Sequence, residues 1–142
     1  MYIIIAGGGI AGRNLTKSLV QKHDVIVIEK DQNVAEKIYS RYGAVTVLGS
    51  ATRIDILKEA GIQKCDVAIA VMRDDADNLS FSLLAKNFGV EKILVRMREP
   101  EYENAYEMAG ATNIAATMEL IVDRFITDIE EPDVRKVASL GD

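Results

Sequence analysis

A chain of 142 residues suits one domain whose core can stand without disulfides or metal. Hydrophobic residues make up 49% and charged residues 27%, the proportions of a soluble globular domain. The net charge of −5, with lysines and arginines scattered among acids, excludes a nucleic-acid or acidic-membrane binder, which calls for a clustered basic face. The single cysteine, Cys65, cannot form an internal disulfide, and no apolar run approaches the ~20 residues that span a bilayer. A cytoplasmic protein without direct membrane insertion is expected.

The first apolar run, Tyr2–Ala6, is too short for a signal h-region and lacks a basic flank. It leads straight into Gly7-Gly8-Gly9-Ile10-Ala11-Gly12, a G-x-G-x-x-G motif placed between a predicted strand and a predicted helix over Arg13 to Lys22. The three glycines of the pattern play different parts. Gly7 makes the tight turn, Gly9 lets the main chain approach a pyrophosphate, and Gly12 lets the helix pack on the strand. The helix N-terminus offers free N–H groups and partial positive charge to that pyrophosphate. The second strand, Val25–Ile28, ends in Glu29, 17 residues after Gly12. An acid there can accept both hydroxyls of an adenosine ribose and repels a 2′-phosphate, which favours NAD or NADH over NADP. Lys30, directly after it, weakens that preference, because a cation could meet a phosphate.

The third run, Ala44–Leu48, is followed by Gly49-Ser50-Ala51-Thr52, where Thr52 reads as a helix N-cap and Ser50 as a side chain within reach of an adenine. The fourth run, Val67–Val71, leads through Met72 and Arg73 to Asp74, Asp75 and Asp77, acids that suit a helix start. The fifth, Lys92–Val95, continues into Arg96, Met97 and Arg98; Arg96, nearer the strand end, is the better phosphate contact. After the sixth, Asn113–Ala116, comes an amphipathic helix over Thr117–Ile129 with Met118, Ile121, Val122, Phe125, Ile126 and Ile129 on one stripe. That stripe either covers the edge of the chain's own sheet or contacts a second copy. Beyond Pro132 the sequence is polar and reads as a fraying end.

Near-continuous apolar runs alternating with helical stretches imply βαβ units and a parallel sheet covered on both faces. With right-handed crossovers, the expected fold is α/β: a Rossmann-type, doubly wound, parallel six-stranded sheet in order 3-2-1-4-5-6, with a C-terminal amphipathic helix. Residues 1–116 form the dinucleotide-binding domain and 117–142 a crossover or dimerisation helix and tail. Groups for catalysis are missing from the strand ends. His23 falls in the turn before the second strand, Cys65 precedes the fourth, and Tyr102 is followed four residues on by Tyr106, not by the lysine of a Tyr-x-x-x-Lys pair. No P-loop lysine is present and no room for a substrate domain is expected, so the chain reads as a nucleotide receptor and not an enzyme. The alternative is the cofactor-binding half of a NAD-dependent dehydrogenase. A redox-sensing repressor would need a DNA-binding module that this acidic chain lacks.

The sequence resembles the KTN/RCK (TrkA-N) domain of regulatory proteins in Trk- and Ktr-type potassium uptake systems and of some potassium channels. The resemblance runs through Tyr2–Gly12, Gly49-Ser50-Ala51-Thr52, Leu57-Lys58-Glu59-Ala60-Gly61-Ile62, Asp66–Val71, Asp75 with Asn78-Leu79, and Val95–Tyr102. It implies a cytosolic domain that binds NAD, NADH, ATP or ADP and passes a conformational change to a membrane-embedded transporter or channel subunit. Gly7 to Gly12 would cradle phosphates, Glu29 would hold ribose, and Met72, Arg73 and Arg96 would line the rest of the cleft. The final helix would cross to a partner, making the Met118–Ile129 stripe a seam of a homodimer or of an oligomer of dimers. Two positions depart from the family, which usually carries Asp at Ser50 and Thr at Met72.

Overall fold

A computed structural model describes residues 1–131 of the chain. Six strands form one sheet: β1 (Tyr2–Ala6), β2 (Asp24–Glu29), β3 (Val45–Leu48), β4 (Val67–Ala70), β5 (Lys92–Met97) and β6 (Asn113–Ala116). Every neighbouring pair is parallel, and the order is β3-β2-β1-β4-β5-β6, as expected. Between them run α1 (Ile10–Leu19), α2 (Gln32–Tyr42), α3 (Ile54–Glu59), α4 (Asp75–Asn87) and α5 (Glu103–Met108), and α6 (Thr117–Glu130) follows β6.

Strand side chains alternate between faces, so the sheet sorts its apolar residues into two cores. Ile4, Ile26, Ile28, Ala68, Ile93, Val95 and Met97 pack with Leu57 of α3, Phe81 of α4 and Tyr106 of α5 on one face. Ile3, Ile5, Val25, Val27 and Ile69 pack with Ile38 of α2 and with Leu15 and Leu19 of α1 on the other. Burying each of the larger of these side chains contributes about 1.5–3 kcal/mol, and that, more than helix propensity, holds the short helices in place.

Three sequence expectations shift. The helix after the glycine motif spans Ile10–Leu19 instead of Arg13–Lys22, because Gly9 serves as its N-cap and Gly12 lies inside its first turn. Strand β5 extends past Val95 to Met97, so Arg96 sits within the sheet, not beyond it. Thr52 is not the cap of α3; Arg53 is. The Thr52 hydroxyl instead lies 2.7 Å from that of Ser50, whose oxygen also accepts the Thr52 N–H, a local turn that takes the side chain away from the helix.

The last helix behaves unlike the others. No residue of α6 is buried, and Met118, Leu120, Ile121, Val122, Phe125, Ile126 and Ile129 are all about half exposed or more. The stripe does not cover the chain's own sheet. A local cause is visible: β6 ends at Ala116 and α6 begins at Thr117, with no connecting residues in which the chain could reverse. The expected fraying past Pro132 lies outside the described residues.

Candidate functional site

At the carboxyl ends of the strands, where the order switches between β1 and β4, a cleft of about 510 Å³ opens, the position where doubly wound sheets take ligands. Of the residues expected from sequence, Gly7, Gly9, Ile10, Glu29, Lys30, Ser50, Ala51, Met72, Arg73 and Arg96 line it. Gly8, Ala11, Gly12 and Thr52 do not.

The glycine turn is built by close approach. Gly7 has φ +110°, and a Cβ there would sit 2.9 Å from the Val71 carbonyl oxygen, so the first glycine is required by the neighbouring strand end. A Cβ on Gly12 would run into the Gly7 carbonyl oxygen, so the third glycine lets α1 rest on the turn. Gly9 differs. Its φ is −72°, open to any residue, and no protein atom lies within 4 Å of a Cβ built on it. The fold does not ask for glycine there, whereas a ligand pressed against the main chain would. Helix α1 beyond it has no side-chain cap and no acid in its first turn, which leaves its leading N–H groups and positive pole facing the cleft. Helix α2 is the contrast: Asp31 caps it by accepting from the Asn33 and Val34 N–H groups.

Glu29 is fastened before any ligand arrives. Its Oε1 accepts the Gly8 N–H at 2.8 Å and its Oε2 accepts the Asp31 N–H at 2.8 Å. Gly8, off the cleft wall, thus ties the glycine turn to the end of β2. Each carboxylate oxygen keeps a second lone-pair site for a hydroxyl donor.

The far wall has no glycine and is shaped by side chains. Arg96 Nη2 donates to the carbonyl oxygens of Val71 (3.2 Å) and Met72 (2.8 Å), which places its positive charge on the cleft floor. Its Nε is buried with no partner. The amide of Asn78, fully buried, accepts the Met72 N–H at 2.9 Å and donates to the carbonyl oxygens of Met72 and Arg96. Asp75, also buried, accepts the N–H groups of Arg98 and Glu99 at 3.0 and 2.9 Å and the Tyr106 hydroxyl at 2.7 Å. This acid therefore clamps the end of β5 onto α4 instead of only easing a helix dipole. Burial, reinforced by the Asp75 carboxylate, pushes the Tyr106 hydroxyl well above its usual range.

Sequence reasoning missed Asn78 and Asp75 as shapers of the site, and Ile28, Asp31, Val34, Gly49, Val71, Asp74 and Asp77 as cleft lining. The only signal for them was position: each falls at or just past a strand end or in the first turns of the following helix. The single histidine and the single cysteine lie away from the cleft. His23 sits beside the N-terminal amine at 3.2 Å, at the opposite end of the sheet from the cleft. Cys65 precedes β4, and burial pushes its thiol up to about 11. Among the described residues no helix is long and apolar enough to cross a membrane.

The family model for the TrkA-N domain matches residues 3–117. A Trk system potassium uptake protein TrkA homolog from Archaeoglobus fulgidus is 41% identical over 102 residues, which are 72% of this chain and 23% of that protein. A homolog of the same description from Methanothermobacter thermautotrophicus is 29% identical over 142 residues, covering 99% of this chain and 66% of its own length. The chain thus spans between about a quarter and two thirds of these relatives. The GsuK channel bound to NAD superposes with a TM-score of 0.74 at 23% identity, over 87% of this chain and 22% of the channel chain, a likeness of fold.

Proposed function

The chain belongs to the TrkA-N domain family, and on that premise we propose that it is the cytoplasmic nucleotide-sensing unit of a potassium transport system. The observation that carries the reading is Gly9: a glycine the fold does not need, at the uncapped head of α1, in a cleft whose floor bears Arg96. A dinucleotide lying across the switch point would set its pyrophosphate on the Gly7–Gly12 turn and its adenosine ribose on Glu29, beside Lys30, Ser50 and Ala51. Met72, Arg73 and Arg96 would line the remaining half. The TrkA relatives and the NAD-bound channel support NAD or NADH as ligand and a potassium transporter or channel subunit as membrane partner. ATP and ADP share the adenosine and phosphate chemistry and are the competing ligands.

No reaction is assigned to the cleft. It would act by binding two arrangements of the protein unequally, since equal affinity moves no equilibrium. The second arrangement needs a moving contact, and α6 supplies one. Its six stripe residues are each about half exposed or more, so burying the rest is worth on the order of 1 kcal/mol apiece, and the two stripes of a homodimer together reach the size of the cost of association. Residues 1–116 are then the nucleotide-binding body, and 117–142 the arm that reaches the second copy.

Calorimetric titration with NAD, NADH, ATP and ADP tests the reading. A nicotinamide dinucleotide should bind, with no turnover of any hydroxy acid, and NADH should bind at least about tenfold more tightly than NADPH, roughly 1.4 kcal/mol. Silence from all four ligands removes the function, and equal affinity for NADH and NADPH removes the role of Glu29.

A further inference from the structure

The order of the strands would spread a dinucleotide across the cleft. The glycine turn follows β1, Glu29 closes β2, and β3 lies beyond β2. Leu48 pairs with Glu29 across that boundary, and the Gly49 N–H donates to the Glu29 carbonyl oxygen at 3.0 Å. Phosphate on the glycine turn and ribose on Glu29 would therefore leave the base to the segment after β3, where Gly49, Ser50 and Ala51 line the same cleft. Of these three only Ser50, half-buried, has a polar side chain. Lys30 and Asp31 at the end of β2 are exposed; one can only donate and the other only accept, so together they favour neither kind of base edge.

Ser50 is bonded in a way that leaves its hydrogen-bonding sense open. Its oxygen accepts the Thr52 N–H at 3.2 Å and lies 2.7 Å from the Thr52 hydroxyl, and either of the two oxygens can donate to the other. A hydroxyl has one proton and two lone pairs. When Ser50 donates to Thr52, one lone pair on Ser50 remains and can accept an amino proton. When Thr52 donates to Ser50, both lone pairs are taken and the Ser50 proton is free for a carbonyl oxygen. Turning two O–H bonds converts one state into the other without moving a heavy atom. Amino- and oxo-purines differ by the same inversion: adenine presents an amino donor where hypoxanthine and guanine present a carbonyl acceptor. We propose that Ser50, backed by Thr52, is the base-reading residue of the cleft and that it accepts 6-amino and 6-oxo purine nucleotides alike. This rests on the nucleotide reading above and narrows it: Glu29 selects on the ribose, whereas the base is held without being told apart. A fixed acceptor in the same place would choose adenine, because an oxo group would set two acceptors face to face.

Calorimetric titration with NADH and with reduced nicotinamide hypoxanthine dinucleotide, which carries oxygen in place of the amino group, tests this, with thermal melts checking that each variant is folded. The wild type should bind the two within about twofold of each other. A wild type that prefers NADH at least about tenfold overturns the proposal and leaves the nucleotide reading standing. Binding of neither removes that reading and the proposal with it. Ser50→Ala should weaken both ligands together, at least about threefold, and unchanged affinity for both would mean that the hydroxyl does not touch the base. Ser50→Asp supplies a carboxylate that can only accept, and it should turn parity into a preference for NADH of at least about tenfold, whatever its charge does to the two affinities in common. Parity retained in a folded Ser50→Asp overturns the role of Ser50. Should that variant fail to fold, the two affinities of Ser50→Ala decide alone.

Discussion

The two halves of the sheet build the same kind of turn by opposite means. In the first half, β1 to β3, the turn facing the cleft is shaped by missing atoms: Gly7 must pass the Val71 carbonyl, and Gly12 must admit the Gly7 carbonyl. In the second half, β4 to β6, the corresponding turn from Val71 to Asp74 has no glycine and is held by added atoms, the amide of Asn78 and the guanidinium of Arg96 gripping the Met72 main chain. The first half presents main chain to a ligand, and the second presents charge. The two meet where Gly7 touches Val71, so neither wall of the cleft can shift alone.

That contrast predicts failure by addition on one side and by subtraction on the other. Gly12→Val places side-chain carbon against a backbone oxygen that has nowhere to go, and it should cost about 4 kcal/mol or more, leaving little folded protein in a denaturant titration. Asn78→Ala removes three hydrogen bonds from a fully buried position and leaves main-chain groups unpaired, a loss of about 2–4 kcal/mol and a drop in melting temperature on the order of 10 °C. A milder loss from Asn78→Ala than from an exposed control such as Asn14→Ala would mean that the second wall is not held by side chains.

The same contrast governs what could be read from sequence. Strand order, the glycine turn and Glu29 were legible because they depend on local rules: apolar runs, a fixed glycine spacing, and an acid at a strand end. Asn78 and Asp75 were not, since a polar residue early in a helix reads equally well as solvated surface, and only the fold brings residues 96–99 beside them. Thr52 misled because a hydroxyl before a helix looks like a cap, yet Ser50 two residues earlier captured it. Arg96 was found, but its place within the sheet, gripping the main chain after β4, was concealed by a strand end placed at Val95.

A smaller effect is expected from alkali. Folding raises the Cys65 thiol from its ordinary 9.0 to about 11 by burial, and it also raises the Tyr106 and Tyr2 hydroxyls. The folded state favours the protonated form of each, so this stabilisation is complete below pH 9 and declines as pH climbs toward 11 and beyond. Melting temperature should therefore fall from pH 9 upward. Cys65→Ala should flatten the part of that fall between pH 9 and 11 and leave the steeper part above it to the tyrosines. A profile unchanged by Cys65→Ala would mean that the thiolate forms as readily in the folded chain as in the unfolded one.

The smallest effect on stability should come from Gly9→Ala, and it is the most telling. Nothing in the protein meets the new methyl and φ is already ordinary, so apart from a slightly poorer helix cap, about 0.5 kcal/mol or less, the melt should not change. The methyl would nevertheless stand in the cleft where a pyrophosphate would lie against α1. Affinity for NADH should fall at least about tenfold while the fold is intact. Gly12 and Gly9 sit three residues apart in one motif, yet the first would fail as structure and the second as recognition. If Gly9→Ala binds NADH like the wild type, the open space above that glycine serves no ligand, and the first half of the sheet is a fold element like any other.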